Sequence, residues 1–335
     1  DFTPVGDFSL YDHVLDTSFM FGHLPARAQA LGRNRLDQYF SVARGRSAHA
    51  QSCQHIHAGE MTKWFDTNYH YIVPELTQGT EFKLDPSVLL AQVKEAQQLG
   101  RAIKPVIIGP ATYLWLSKAK DQSHPLEFAQ QLTEQYAELL TLLNEHQVDW
   151  VQIDEPILVT ELETPWQDTI KAIYQALASS PVKLLLTTYF GSLGDNLEFT
   201  CQLPVAGVHL DAINARHEVE SVIEHLNNTQ VLSLGVINGR NIWTTDLTAT
   251  LDWLEPISAQ LKNRLWLAPS CSLIHVPVDL DSEEKLDEDI KSWLAFAKQK
   301  LQELAILKQA LNHGRHSVAA ELDQNQEAIA SRKNS

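Results

Sequence analysis

Trp150-Val151-Gln152-Ile153-Asp154-Glu155-Pro156 is an apolar, strand-forming run that stops on two adjacent carboxylates and a proline. Burial disfavours a charged carboxylate, so acids at the end of a buried strand usually hold a cation, a substrate amine or a proton. The same residues would also serve as a solvated strand end that caps the following helix. A second group is basic. Arg27, Arg33, Arg35, Arg44, Arg46 and Lys63 face only Asp37 and Glu60 between residues 27 and 63, a local excess able to attract a small anion. A third, Cys53, His55 and His57, offers three metal-ligating side chains on one segment but no fourth, which makes a weak zinc pattern. Between residues 60 and 71 aromatic and hydrogen-bonding residues crowd together, a mixture suited to a pocket wall.

The elements that must position these residues alternate. Helical spacing runs over 9–22, from residue 85 to Gly100, 126–146, 165–178, 217–226 and 247–261. Between the helices lie continuous apolar runs at 106–110, 150–153, 184–190, 207–211, 231–238 and 265–271. Strands that are apolar throughout are buried on both faces, the mark of a parallel sheet with crossover helices. With residues 4–8 these make seven strands. A parallel barrel needs eight, so the expectation is an α/β chain, a (β/α)8 barrel of the TIM type that lacks its first strand here. Polar or backbone-permissive residues follow each apolar run, and Asp7, Asp154, Glu155, Asp211, Asn238 and Cys271 are the barrel-mouth candidates. A doubly wound sheet is the alternative, but no glycine-rich phosphate loop follows any strand. A long helix is expected from Glu283 to Gly314, with Leu286, Ile290, Trp293, Leu294, Ala297, Leu301, Leu304 and Leu311 inward, closing a domain over residues 1–314. Residues 315–335 are polar and read as a tail or linker toward a second domain.

Composition narrows the function class. The net charge of -16 argues against nucleic acid. No apolar run approaches the roughly 18 residues of a membrane span, and no signal-peptide pattern is present. Three widely spaced cysteines fit a reducing cytoplasm better than a disulfide framework. The chain opens on Asp1 in what reads as a strand approach, so the natural N-terminus is expected upstream.

Several longer motifs carry a resemblance. Pro4-Val5-Gly6-Asp7-Phe8 with Tyr11-Asp12-His13-Val14, Glu60-Met61-Thr62-Lys63-Trp64-Phe65 through Asn68-Tyr69-His70-Tyr71, Lys104-Pro105 with Gly109-Pro110, Gln152 to Pro156, Leu186-Thr187-Thr188-Tyr189-Phe190, Ile237-Asn238-Gly239-Arg240-Asn241 and Ser270-Cys271-Ser272-Leu273 resemble the N-terminal half of cobalamin-independent methionine synthases. The resemblance implies two similar barrels packed face to face, methyl transfer from 5-methyltetrahydrofolate polyglutamate to homocysteine, and a catalytic zinc in the C-terminal barrel. It makes Lys63 the folate-binding lysine and puts the other basic folate segment before residue 1. Where the zinc-bearing barrel has His-x-Cys, this chain has Thr187-Thr188-Tyr189. Asp211 falls near the acidic ligand and Cys271 matches the last cysteine, so no metal is expected here. Asp154 and Glu155 match the carboxylates that hold the homocysteine amine in the other barrel. The fragment alone is expected to be inactive. Two other readings remain: a stand-alone barrel for anionic ligands or assembly, and a lyase or decarboxylase using Asp154 and Glu155 for acid–base work.

Overall fold

The computed structural model describes residues 2–29, 34–46 and 56–334. The chain divides into two compact units, residues 1–187 with 202–206, and residues 188–201 with 207–335.

The first unit contains strands β1 (Thr3–Val5), β2 (Met61–Lys63), β3 (His70–Ile72), β4 (Glu75–Leu76), β5 (Ile103–Ile108), β6 (Lys118–Ala119), β7 (Trp150–Asp154) and β8 (Lys183–Thr187). Parallel pairing joins β1 to β5, β5 to β7 and β7 to β8. In register, Ile108 lies beside Asp154 and Asp154 beside Thr187. Side chains alternate across a strand, so Gln152 and Asp154 share one face while Val151, Ile153 and Glu155 take the other. That second face is covered by helices. Among them are α1 (His13–Met20), α2 (Ser87–Gln98), α3 (Pro110–Leu116), α4 (Ala129–Glu145) and α5 (Thr164–Leu177). Leu132, Tyr136, Leu139, Leu140 and Leu143 of α4 are all buried, the 3.6-residue stripe read from the sequence.

Two small sheets were not anticipated. β2 and β3 form an antiparallel hairpin, and β4 pairs with β6 in parallel. All four strands are only two or three residues long, too short for alternation to show, and of the two sheets it is the β2–β3 hairpin that overlaps the stretch read as a pocket wall.

The second unit places β9 (Gly207–Leu210), β10 (Val231–Ile237) and β11 (Leu265–Pro269) side by side and parallel, with β10 central and buried along its whole length. A Cβ on Gly235 would sit 2.5 Å from the Ser270 Cα, so only glycine permits this approach of β10 to β11. The six apolar runs and the segment after residue 3 all contribute strands, and all pair in parallel within their units.

Two expectations about the C-terminal region fail. The helix from Glu283 is interrupted: a short helix covers Glu288–Ser292, and α6 (Ala297–His313) begins only after Phe296. Its buried face is Lys300, Glu303, Leu307 and Ala310, and Leu301 is exposed. Polar anchoring replaces the leucine stripe. Lys300 Nζ donates to the Trp243 carbonyl at 3.2 Å, and Glu303 accepts from the Thr245 amide and hydroxyl, both at 2.8 Å. The supposed tail forms helix α7 (Ala319–Asn334), which buries Leu322, Asn325 and Ile329. Asn325 accepts the Leu247 N–H at 3.0 Å and donates to the Thr245 carbonyl at 2.8 Å. Three well-spaced inward residues suffice to dock a helix whose composition is otherwise polar.

Candidate functional site

Lys63 lies at the end of β2 with its side chain exposed, opposite His70 in the hairpin register. Among the described residues its ammonium has no ion pair or hydrogen bond. The hairpin is held from below. Asp12, fully buried, accepts the Leu15 amide at 2.7 Å, capping α1, and the Ile72 amide of β3 at 3.0 Å. Burial pushes the Asp12 carboxyl up to about 7 against the pull of those two N–H groups. His13 meets Trp64 edge-on at 4.2 Å, its backbone N–H donates to the Tyr69 hydroxyl at 3.2 Å, and Phe65, at φ 49°, stacks on Trp115. Asp12 and the hairpin aromatics thus work as a support for Lys63.

The arginines beside it behave differently. Arg27 is engaged by Glu75 through two hydrogen bonds of 2.7 and 2.6 Å, Arg35 pairs with Asp85, and Arg46 pairs with Asp37 at 3.0 Å. Glu75 and Asp85, distant in sequence, offset part of the basic excess counted along the chain, and Asp37 engages Arg46 within it. Arg33, Cys53 and His55 lie outside the described residues, and His57 accepts from Arg27 through its backbone carbonyl.

The strand ends of the first unit separate the two acids that opened the reading. Glu155 points into the helix layer and is fully buried. Its carboxylate accepts from the Ala111 N–H (3.1 Å), the Thr112 N–H (2.6 Å) and the Tyr174 hydroxyl (3.0 Å). Burial raises it to about 7, opposed by those same donors. A Cβ on Gly109 would fall 2.1 Å from the Glu155 carboxyl carbon, so the glycine exists to admit this joint. Asp154 takes the other face and accepts the Gln152 amide at 2.7 Å. Lys104, which was not among the candidates, is half-buried and is drawn toward Asp154 and Asp7, while burial holds its ammonium down near 8. Its position two residues before the apolar core of β5 hid it, since lysines inside strands are usually solvated ends. Asp7, Lys104 and Asp154 thus form one electrostatic group, and Glu155 is structural.

In the second unit Asp211, fully buried, spends both oxygens. Oδ1 accepts the N–H groups of Ile213 (3.0 Å) and Asn214 (3.1 Å), and Oδ2 accepts the Phe190 N–H (3.1 Å) and the Asn214 side chain (2.7 Å). Asn238 Oδ1 accepts the Arg240 N–H at 2.8 Å, fixing the turn after β10. Cys271 is buried, its thiol directed to the Ser272 carbonyl at 3.7 Å, and a Cβ on Gly239 would come within 2.8 Å of its sulfur.

Comparison with known proteins gives the family. Residues 1–262 match the family model described as the cobalamin-independent synthase, N-terminal domain. The chain belongs to the cobalamin-independent synthase family. The 5-methyltetrahydropteroyltriglutamate–homocysteine methyltransferase of Saccharophagus degradans is 53% identical over 337 residues, covering 99% of this chain and 44% of the relative. The chain therefore spans less than half of that protein. Among solved structures, a putative vitamin-B12-independent methionine synthase from Listeria monocytogenes overlays with a TM-score of 0.53 at 16% identity, over 71% of this chain and 72% of that one. A B12-independent methionine synthase from Shewanella, solved with selenomethionine, gives 0.51 at 17% identity over 76% and 72%. At such identities the likeness is one of fold: an α/β architecture on parallel strands. No helix of this synthase domain, among the described residues, is long and apolar enough to cross a membrane.

Among the described residues, Asp211 and Cys271 do not present a tetrahedral donor set. Asp211 has both oxygens engaged by four donors, Cys271 has no neighbouring His-x-Cys pair, and no group of three or more His, Cys, Asp or Glu side chains among the described residues is arranged to hold a metal.

Proposed function

We propose that this synthase domain is the folate-side part of a methyltransferase that moves a methyl group from 5-methyltetrahydrofolate polyglutamate to homocysteine. The observation that carries the reading is the 53% identity to a methyltransferase of that name over nearly the whole chain. Lys63 would bind the polyglutamate: its exposed ammonium, free of carboxylate partners among the described residues, stands on a hairpin braced by Asp12, where a tail carboxylate can reach it. The parallel strands within each unit support a fold of the (β/α)8 type. Homocysteine and the zinc that makes its thiol nucleophilic would be held by a second barrel. Asp211 and Cys271 would shape this domain's strand-end loops. The domain by itself would be inactive, and the enzyme would work in the cytoplasm.

Methyl transfer from the triglutamyl substrate to homocysteine, measured with and without a supplied C-terminal half, tests the reading. Activity only on complementation is expected. Turnover by this chain alone, or none with both halves present, refutes it. Lys63→Ala should weaken triglutamate binding by about tenfold, in line with loss of a charge-assisted contact, and unchanged affinity removes Lys63 from the site.

A further inference from the structure

In the first unit Lys104 stands on β5 in register with Pro4 of β1, and alternation sets it on the same face as Val106 and Ile108. Those two lie beside Gln152 and Asp154 of β7, so Lys104 shares with Asp154 the face opposite the helix layer. The residue is half-buried, yet among the described residues its three N–H donors meet no hydrogen-bond acceptor and no ion pair. An ammonium so placed is costly. Two carboxylates offset part of that cost from beyond contact distance: Asp154, and then Asp7, two residues past β1. Burial outweighs their pull and holds the ammonium down at about 8. At pH 7 roughly one molecule in ten then carries the neutral amine, against roughly one in 3,000 for an ordinary lysine.

A desolvated lysine of this kind is a nucleophile toward carbonyl carbon. In condensation with an aldehyde the nitrogen lone pair forms the C–N bond. Two of the three ammonium protons leave on the carbonyl oxygen as water, and the positive charge stays on nitrogen as an iminium. The two carboxylates therefore face the same charge before and after. Asp7, whose own carboxyl is raised by burial, stands within electrostatic reach of the nitrogen and suits proton transfer through water. Two acids against one amine leave this face net negative, which favours a neutral aldehyde over an anionic oxo acid. We propose that Lys104 is a carbonyl-reactive amine that condenses with small neutral aldehydes, with Asp7 relaying protons between nitrogen and oxygen. The site is independent of Lys63 and of the methyl-transfer reading, and stands or falls without them.

The test incubates the whole chain with propionaldehyde and cyanoborohydride, which reduces the iminium to a stable N-propyl amine, and follows each lysine by peptide mass mapping. At pH 7 Lys104 should be propylated at least about tenfold faster than the exposed Lys94, the gain in neutral amine exceeding what partial burial and a less basic nitrogen take back. Glyoxylate, an anionic aldehyde, should give a smaller ratio of Lys104 to Lys94 labelling. Asp7→Asn should slow Lys104 at least about fivefold, and Asp7→Glu should restore part of the rate. The sign separates relay from mere charge: removing a neighbouring negative charge alone would leave more neutral amine and speed the reaction. Labelling of Lys104 no faster than Lys94, a glyoxylate ratio as high as that for propionaldehyde, or an unchanged or faster rate in Asp7→Asn each overturns the proposal.

Discussion

Glu155→Gln asks whether the most conspicuous acid of the sequence is a joint of the fold. The substitution keeps the shape and removes the titration. In the folded chain burial holds the carboxyl up at about 7, above its ordinary 4.5. Between those values the folded state keeps a proton that the unfolded state has released. Glu155 therefore contributes stability that is full below pH 4.5 and is lost as pH rises through 7. At 1.36 kcal/mol per pH unit, this is about 3 kcal/mol across the window. Glutamine contributes no such change, though its NH2 group now faces one of the Ala111, Thr112 or Tyr174 donors, a fixed cost of about 1–3 kcal/mol. Urea unfolding of both proteins from pH 4.5 to 8 should show the stability gap between parent and variant shrinking by about 3 kcal/mol as pH rises. A gap that stays constant, or widens with pH, would refute the assignment of Glu155 as a buried acid whose protonated form suits the fold.

His23 gives the opposite slope. It is buried between the Tyr113 hydroxyl (2.7 Å) and the Glu75 carbonyl (2.9 Å), and burial holds it down to about 4, below its ordinary 6.5. Its contribution is present above pH 6.5 and lost as pH falls toward 4, so His23→Gln should flatten the acid limb of the stability profile by up to about 3 kcal/mol. Gly235→Ala sets a Cβ 2.5 Å from backbone of the neighbouring strand, which cannot yield cheaply. A loss of roughly 2 kcal/mol or more is expected in urea unfolding, and parental stability would show that β10 and β11 pack less closely than described. Truncation after Gly314 removes the buried Leu322 and Ile329 and the Asn325 cap. It should cost at least about 3 kcal/mol by apolar burial alone, read as a lowered urea midpoint, whereas a dispensable tail would leave the midpoint where it was.

The parallel strands were legible because both-face burial demands unbroken apolar runs, and the 184–190 and 231–238 runs state this plainly. The helix at 319–334 was not, because its inward positions include an asparagine and only two large apolar residues. The face of α6 misled for a related reason: Lys300 and Glu303 are inward, and only tertiary partners at Trp243 and Thr245 make that tolerable. The acids at 154 and 155 were correctly placed at a strand end. Which of them faces helices followed from the glycine at 109, whose meaning appears only when the Glu155 side chain is seen filling its missing Cβ. Phe190, at φ 77°, was invisible as a strained residue, since nothing local requires a left-handed phenylalanine; the requirement comes from Asp211. Lys63 was singled out by resemblance, while the neutralisation of Arg27 and Arg35 by Glu75 and Asp85, about 50 positions away, lay beyond any local count.

The reach of Asn325 back to residues 245 and 247 also sets an order of events during synthesis. The helix at 247–261 is complete in sequence some sixty residues before Asn325 leaves the ribosome, yet its first amide has no side-chain acceptor until then. The nascent second unit must therefore wait in a partly closed form, exposing the groove that residues 319–334 will fill. Slow translation of residues 319–334 would lengthen the wait.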